Sequence, residues 1–368
     1  MSSDQQRAFV QHLLRWYKKN QRPLPWRETR DPYSIWVSEV MLQQTRVSTV
    51  TPYFEGFLER FPTVEALAKA PLDSVLKAWE GLGYYSRARN LHRTAQIVST
   101  QLNGRFPDTR AALLELPGIG KYTSAAIASI AFDCDVPVLD GNVRRVLARV
   151  LYIKRDPKLP KIEKELDAFL RKILPNKKAA SFNQALMELG AMICLPKTPN
   201  CPKCPVEKLC GARRTGVERI LPVKSKRPAR PHHHVAIGVI WKDSKLLITQ
   251  RHHEGLLGGL WEFPGGKRHP EESLEECLHR ELKEELNIEV SIKQQLPTVQ
   301  HEYSHFRVTL YPFECKWLRG RPQEIGCIDW AWVKPQELKN YAFPRANQKI
   351  FRARFERELN LSSNSSLL

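Results

Sequence analysis

The feature that most limits what this chain can fold into is a change of hydrophobic period along it. Through residues 4–212, apolar residues recur three and four apart, as in Phe9, Leu13, Leu14 and Tyr17 and again in Val143, Val146, Leu147 and Val150. That is the repeat of helices that each bury one face. Pro62, Pro71, Pro107 and Pro175 cut this half into separate helices, because the residue before a proline is pushed out of the α region. After His234 the pattern turns β-like, with runs at 235–241 and 245–251 flanking a turn at 242–244, a helical stretch at 273–286, and further strand-like runs at 307–315 and 329–333. A single core does not suit both periods, so an all-α domain over 1–212 and a mixed α/β domain over 232–352 are expected. Between them, 213–231 carries seven Lys/Arg against one Glu, with three prolines and no clear apolar face, and reads as a basic linker. The Asn/Ser-rich tail, 353–368, is expected to fray.

Charge narrows the partner. The chain has 58 Lys+Arg against 39 Asp+Glu, a formal charge of +19, and such a surplus points to a polyanion, most simply nucleic acid. The apolar runs are too short to span a bilayer, and the first residues lack the basic patch and apolar stretch of a signal peptide. A cytoplasmic protein, nucleoid-associated if bacterial, is expected, and in a reducing compartment cysteines serve as metal ligands or inert thiols before disulfides. Four of them form C-x6-C-x2-C-x5-C at Cys194, Cys201, Cys204 and Cys210, in a loop stiffened by prolines at 196, 199, 202 and 205. Four thiolates so close in sequence suit one metal centre. A [4Fe–4S] cluster fits the spacing; zinc is the alternative, though its usual arrangement has two C-x2-C knuckles and this loop has one, and free thiols are the third reading. Cys134, Cys277, Cys315 and Cys327 lie in or near apolar stretches and are expected to be buried and inert.

Two local motifs carry chemistry. In Leu116-Pro-Gly-Ile-Gly-Lys121 the glycines Gly118 and Gly120 let backbone amides approach a phosphate at a helix N-terminus whose dipole favours an anion. In Val138-Leu-Asp-Gly-Asn-Val143, Asp140 follows an apolar run at a helix start, where it is an N-cap or something more. Together with Leu24-Pro-Trp-Arg27, Ser38-Glu-Val-Met-Leu-Gln-Gln-Thr-Arg-Val47 and the four-cysteine loop, these motifs resemble the helix-hairpin-helix DNA glycosylase superfamily and, within it, the adenine glycosylases of the MutY type. The resemblance covers residues 1–212. It implies removal of adenine mispaired with 8-oxoguanine or guanine in double-stranded DNA, by a monomer, with the cysteine loop holding a [4Fe–4S] cluster. The related endonuclease III type carries a lysine nucleophile where this chain has Tyr122. Lys121 is one position off, a rotation of about 100° on a helix, so a monofunctional enzyme is implied.

The chemistry is also legible without the family. Cleaving the bond from a sugar to adenine needs a proton on the leaving base and an anion near the developing oxocarbenium ion. Glu39, set among Val37, Val40, Met41 and Leu42, should have its pKa raised by desolvation and so hold a proton for N7 of adenine. Asp140, at a helix start, should stay ionised and stabilise the cation. The resemblance adds Tyr122 and Asn142 as groups that orient Asp140 and the sugar. It adds Trp26, Arg27 and Gln184 as lining of an adenine pocket, and Gln44 and Tyr84 as wedges that fill the gap once the base is flipped out.

The second half holds Gly266-x5-Glu272-x7-Arg280-Glu281-Leu282-x-Glu284-Glu285-x-Asn287-Ile288, which matches the Nudix box except that Asn287 stands where glycine is usual. Glu281, Glu284 and Glu285 fall on one face of a helix, where like charges repel unless a cation such as Mg²⁺ or Mn²⁺ offsets them. Trp261-Glu-Phe-Pro-Gly-Gly266 and Phe343-Pro-Arg-Ala-Asn-Gln348 look like the 8-oxo-dGTP pyrophosphatases of the MutT type, with Asn347 at the purine-reading position. His301-Glu-Tyr-Ser-His305 matches the loop with which the glycosylase family reads the lesion, Ser304 being the contact. The resemblance to the glycosylase family implies that this Nudix-fold domain recognises 8-oxoguanine; that family's C-terminal domain has generally lost the metal-binding glutamates, so their presence here is a departure that leaves hydrolysis of free 8-oxo-dGTP open as an additional activity. Asn287 tolerates the left-handed conformation that glycine would supply.

Overall fold

The computed structural model of the chain describes residues 1–225, 229–303 and 305–355. They divide into two compact units, one formed by Met1–Lys69 with Asn90–Arg227, the other by Ala70–Arg89 with Pro228–Leu368. The segment Ala70–Arg89 is helical in part, and its sequence resembles the helices around it. It groups with the second unit because Lys77 Nζ donates to the Tyr341 carbonyl at 3.0 Å and Glu80 accepts from Phe343 N at 2.9 Å.

The first unit is built from helices, as the apolar repeat requires. Phe9 and Leu13 of Ser3–Asn20, Val146 and Leu147 of Gly141–Val150, Leu166 and Leu170 of Pro160–Ile173, and Phe182, Leu186 and Leu189 of Ala179–Met192 share one core. Pro32–Leu42 is different, being buried at Tyr33 and at every position from Ile35 to Met41. Its start is fixed by Asp31, whose carboxylate accepts from Tyr33 N and Ser34 N, with Pro32 in the first helical position. A helix apolar around its whole circumference belongs in an interior, and Glu39 is carried there with it. Lys121–Ala131, which packs against it, offers mostly small residues, Thr123 through Ser129 being buried.

The second unit is an eight-stranded sheet with a helix on each face. His232–Lys242 lies at its centre, parallel to Arg307–Arg319 and antiparallel to Lys245–Gln250 across a tight turn in which Asp243 has φ +56°. Alternation along the central strand sends Ile237 and Val239 to one core and Ala236 and Ile240 to the other. The helix Leu274–Leu286 covers the second core with Cys277, Leu278, Leu282 and Leu286, while Arg345–Phe355 covers the first with Ala346, Ile350 and Phe351. Four strands carry no usable sequence signal: Trp261–Glu262, Gly265–Lys267, Glu289–Gln295 and Val299–Glu302. They are short, or polar on both faces, and are formed by pairing with longer neighbours. Among the described residues no helix is long and apolar enough to cross a membrane.

Candidate active site

In the first unit, Glu39, Tyr122, Asp140, Asn142 and Gln184 line one cavity of about 150 Å³, with Trp26 and Arg27 at its wall. Glu39 is 4% exposed, and the Tyr122 hydroxyl donates to its Oε2. Burial pushes the Glu39 carboxyl up to about 7; the tyrosine hydrogen bond and the charge of Arg27 pull it down, and the charge of Asp140 pushes it up. Asp140 caps the helix Gly141–Val150, accepting from Val143 N at 2.6 Å and from Asn142 Nδ2 at 3.1 Å. The helix start that favours its charged form is present, yet burial raises its pKa against these hydrogen bonds and the charge of Arg145. Its surroundings are drier than the sequence implies. Arg145 in turn donates to Asn142 Oδ1 at 2.8 Å and to the Cys194 carbonyl at 2.7 Å.

The wall is aromatic and cationic. Trp26 is buried edge-on against Phe54, with ring centres 5.4 Å apart, and Gln184 accepts from the Tyr17 hydroxyl at 3.3 Å. Arg27 does not stand alone. It and Arg22 both bond Glu188, a carboxylate 1% exposed. The sequence reading missed Arg22 and Glu188. Glu188 could have been found by the argument that found Glu39, since it is a charge within the apolar run Ala185-Leu-Met-Glu-Leu189 and lies one turn beyond Gln184.

The hairpin glycines differ. Gly118 has φ +76°, and a Cβ there would meet Asn90 Cβ at 2.6 Å, so glycine is required by backbone and neighbour alike. Gly120 caps Lys121–Ala131 in an extended conformation with open space beside it. Gln44 and Tyr84 both take left-handed backbone, at φ +59° and +49°; such conformations cost of order 1 kcal/mol or more and cluster at functional sites. Neither lines the cavity that holds Glu39 and Asp140. The Tyr84 ring lies 5.6 Å from the Arg87 guanidinium.

Cys194, Cys201, Cys204 and Cys210 line one small cavity of about 20 Å³ together with Arg149 and Arg213. Arg149 is fully buried; its Nη1 donates to Cys194 Sγ at 3.2 Å and to the Leu195 carbonyl at 2.7 Å. A donor set of four thiols around a common space, with an arginine to offset thiolate charge, suits an all-thiolate metal centre. Burial pushes the Cys204 thiol up to about 12, and the neighbouring thiols add to it. Among the described residues, no three His, Cys, Asp or Glu side chains are drawn into the geometry of a metal-ion site. Of the remaining cysteines, Cys277, Cys315 and Cys327 are buried, whereas Cys134 is half-buried, because the chain leaves the helix after Ala131 and the thiol sits in the loop that follows.

The second unit has a cavity of its own, about 340 Å³, whose lining includes the carboxylates Glu262, Glu281 and Glu285, the aromatic residues Tyr303 and Phe306, and Asn347. Asn347 Oδ1 accepts from Phe263 N at 3.2 Å, which fixes the amide's orientation. Tyr303 stacks on Phe306, ring centres 4.6 Å apart. Burial pushes Glu285 up to about 8, and the charges of Glu281 and Glu262 push in the same direction. Arg251 pairs with Glu262 at 2.6 Å. Of the three glutamates expected to share a cation, Glu284 stands apart: it is 59% exposed and bonded to Arg280, which also bridges Glu272 and Glu281. Glu262, absent from the expected set, takes its place in the cavity, brought there by the strand Trp261–Glu262. Asn287 closes the helix in the left-handed conformation, φ +53°. Ser304 lies outside the described residues.

Residues 37–172 match the HhH-GPD superfamily of base excision DNA repair proteins, and residues 236–353 match the NUDIX domain. The adenine DNA glycosylase of Rattus norvegicus is 35% identical over 94% of this chain and 77% of its own length; that of Homo sapiens is 35% identical over 94% and 73%. The adenine DNA glycosylase of Buchnera aphidicola from Acyrthosiphon pisum is 35% identical over 93% of this chain and 96% of its own. The chain belongs to the adenine DNA glycosylases. Among solved structures, a thermostable thymine-DNA glycosylase covers 58% of the chain at 33% identity with a TM-score of 0.53. A non-covalent endonuclease III–DNA complex, at 22% identity and a TM-score of 0.52, shows the same helical fold. The protein is thus a base-excision-repair enzyme, a helix-hairpin-helix glycosylase fold followed by a Nudix-type α/β fold.

Proposed function

We propose that the enzyme hydrolyses the N-glycosidic bond of adenine paired with 8-oxoguanine or guanine in double-stranded DNA, as a monofunctional glycosylase acting as a monomer in the cytoplasm or nucleoid. The observation that carries this reading is a buried carboxyl held near neutral pKa beside a tyrosine hydroxyl, in one cavity with a second carboxylate at a helix start. Glu39 is protonated below about pH 7 and gives that proton to N7 of adenine, so that the N9–C1′ electron pair leaves with a neutral base. Asp140 stabilises the cationic sugar, and water adds to C1′ in place of the base, its hydroxyl staying on the sugar and its other proton passing to the Glu39 carboxylate left by the first step. Tyr122 and Asn142 orient the two carboxyls. Trp26, Arg27 and Gln184 bind the flipped adenine, and Gln44 and Tyr84 fill the vacated space. Gly118 and Gly120 expose amides to the DNA backbone; the open space at Gly120 leaves room for a phosphate to approach. The test is single-turnover adenine release from duplexes bearing A opposite 8-oxoguanine, G or T. Release confined to the first two pairings, without a borohydride-trapped adduct, is expected; release from A:T, or a trapped Schiff base, would contradict it.

The proposed domain bounds are glycosylase over 1–212, linker over 213–231 and Nudix-type lesion reader over 232–352. Cys194, Cys201, Cys204 and Cys210 would hold a [4Fe–4S] cluster, the reading that their spacing favours. When bound, the cluster ties the loop 194–210 together and presents a compact charged centre to its surroundings. In the second unit, Asn347, Tyr303 and Phe306 suit a purine, and Ser304 is the proposed contact to 8-oxoguanine in DNA.

A second activity, metal-dependent hydrolysis of 8-oxo-dGTP, is favoured by the convergence of Glu262, Glu281 and Glu285 in the cavity that Asn347 and Tyr303 also line. There a divalent cation would polarise a diphosphate. Glu284 would have to leave Arg280 to join them. Diphosphate release by the full-length protein with Mg²⁺ or Mn²⁺ tests it, and no release above a metal-free control would refute it.

A further inference from the structure

The cavity around Glu39, where the flipped adenine is proposed to bind, contains a charged cluster of which the reaction above uses only Arg27. Glu188, on the helix Ala179–Met192 one turn after Gln184, accepts five hydrogen bonds. Three come from Arg22, through its backbone N at 3.0 Å, Nε at 2.8 Å and Nη2 at 2.7 Å; two come from Arg27, through Nη1 at 3.1 Å and Nη2 at 2.8 Å. Arg27 Nη1 also donates to the Arg22 carbonyl at 3.0 Å, so the two arginines are tied to each other as well. Burial alone would push the Glu188 carboxyl up, but the hydrogen bonds from Arg22 and Arg27 outweigh it and hold it at about 2.

We infer that Glu188 is a positioning residue for adenine excision: by committing both carboxylate oxygens to Arg22 and Arg27, it fixes two guanidinium groups on one wall of the purine cavity and offsets the positive charge they present to Glu39. The inference rests on the glycosylase reading of this cavity. Without a counter-ion, two neighbouring guanidiniums repel and turn toward water, and removing one partner of a buried ion pair leaves the other uncompensated. The effect reaches the acid. Glu39 is faced by Tyr122 from Lys121–Ala131, by Asp140 at the start of Gly141–Val150 and by Arg27 from the turn Pro25–Arg27; the tyrosine hydrogen bond and the arginine charge lower its proton affinity, and Arg27 is the one of the two that Glu188 binds. Glu188 is itself faced by Tyr17 as well as by the two arginines. Pairing Arg27 with Glu188 therefore preserves the protonated form of Glu39 that catalysis needs.

The test is the pH dependence of single-turnover adenine release by the full-length protein, on a duplex with A opposite 8-oxoguanine, for wild type, Glu188→Gln and Glu188→Asp. Glu188→Gln is expected to lower the maximal rate at least about tenfold and to move the alkaline limb to lower pH by about one unit. Glu188→Asp keeps the charge but is one methylene too short to engage both guanidiniums, so its rate falls while the limb stays in place. Adding Arg27→Met to Glu188→Gln should return the limb to at least its wild-type position without restoring the rate. A Glu188→Gln variant with the wild-type rate and profile, or one that loses rate with its limb unmoved, overturns the inference. If that variant does not fold, Glu188→Asp decides: an unchanged rate refutes the positioning role. A wild-type protein that releases no adenine at any pH refutes the glycosylase reading and this inference with it, and is seen before any variant is compared.

Discussion

Each unit of the enzyme hides a glutamate pushed far above its usual range, Glu39 to about 7 and Glu285 to about 8, and in both burial is the largest cause. What surrounds them differs. Glu39 has a neutral hydrogen-bond donor, Tyr122, and a mixed set of charges, Asp140 against Arg27. Glu285 has like charges, Glu281 and Glu262, with Arg251 only partly offsetting them. A carboxyl raised mainly by dryness keeps its proton, against the pull of its tyrosine donor, until a substrate takes it. One raised by neighbouring carboxylates also gains a proton, but a divalent cation satisfies all of them at once and displaces it. On the proposed function, two residues of the same type with similar proton affinity would thereby serve different events, delivery of a proton in one unit and exchange of a proton for a cation in the other.

The comparison breaks most visibly if the roles are not as different as the surroundings imply. Glu39→Gln removes the transferable proton, and adenine release should fall by at least about 10²–10⁴-fold, the usual contribution of a general acid. A variant within tenfold of wild type in single-turnover assays would mean that Glu39 is a bystander. The second unit should instead respond to chelation. Removing divalent metal should suppress diphosphate release from 8-oxo-dGTP by more than about a hundredfold and leave adenine release unchanged. Binding of Mn²⁺ near pH 7 should also release roughly one proton per site, seen as a buffer-dependent heat in calorimetry and lost in Glu285→Gln. Metal binding with no proton release would place the cation away from Glu285.

Which of these arrangements were legible in the chain depends on sequence distance. The helix that carries Glu39, its apolar surroundings and its raised pKa follow from neighbouring residues, as do the cap at Asp140 and the left-handed Asn287 that ends Leu274–Leu286. Tyr122 is 83 residues from Glu39, and its hydroxyl bonds that carboxyl rather than Asp140, which no local pattern encodes. The Arg22–Glu188 pair spans 166 residues. The acidic face at 281–285 is a helical regularity, yet helical periodicity does not show that Arg280 draws Glu284 outward while a two-residue strand brings Glu262 in. Short-range rules place a side chain on an element. Which charges meet is decided by how the elements pack.

Stability sharpens the comparison further. Glu39 binds its proton more tightly folded than unfolded, so its favourable contribution is fully present below about pH 4.5 and is lost as pH rises through about 7. Glu39→Gln, which cannot ionise, should therefore gain stability relative to wild type at pH 8, by on the order of 3 kcal/mol at most, and little at pH 4. Denaturant unfolding at the two pH values checks this, and equal differences at both would remove Glu39 as the titrating group. Mg²⁺ should not alter this difference, whereas it should relieve whatever alkaline destabilisation Glu285 causes.

The smallest effect tests whether the one departure from the Nudix spacing matters. Asn287 ends its helix at φ +53° and ψ +43°, with its backbone N–H returning to the Lys283 carbonyl at 3.1 Å and Lys283 Nζ donating to its side-chain Oδ1 at 2.7 Å. Glycine would enter this conformation without a Cβ penalty, but would lose the side-chain hydrogen bond and leave the unfolded chain more conformational freedom. These contributions are each under about 1 kcal/mol and oppose one another. Asn287→Gly should accordingly shift unfolding by no more than about 0.5 kcal/mol and leave diphosphate release within about twofold of wild type. A gain of tenfold or more in that activity would show that asparagine, although it adopts the required backbone, holds the helix end in a position that glycine corrects. The difference between the two units would then lie partly in how the helix carrying Glu285 is seated, and not only in the charges around it.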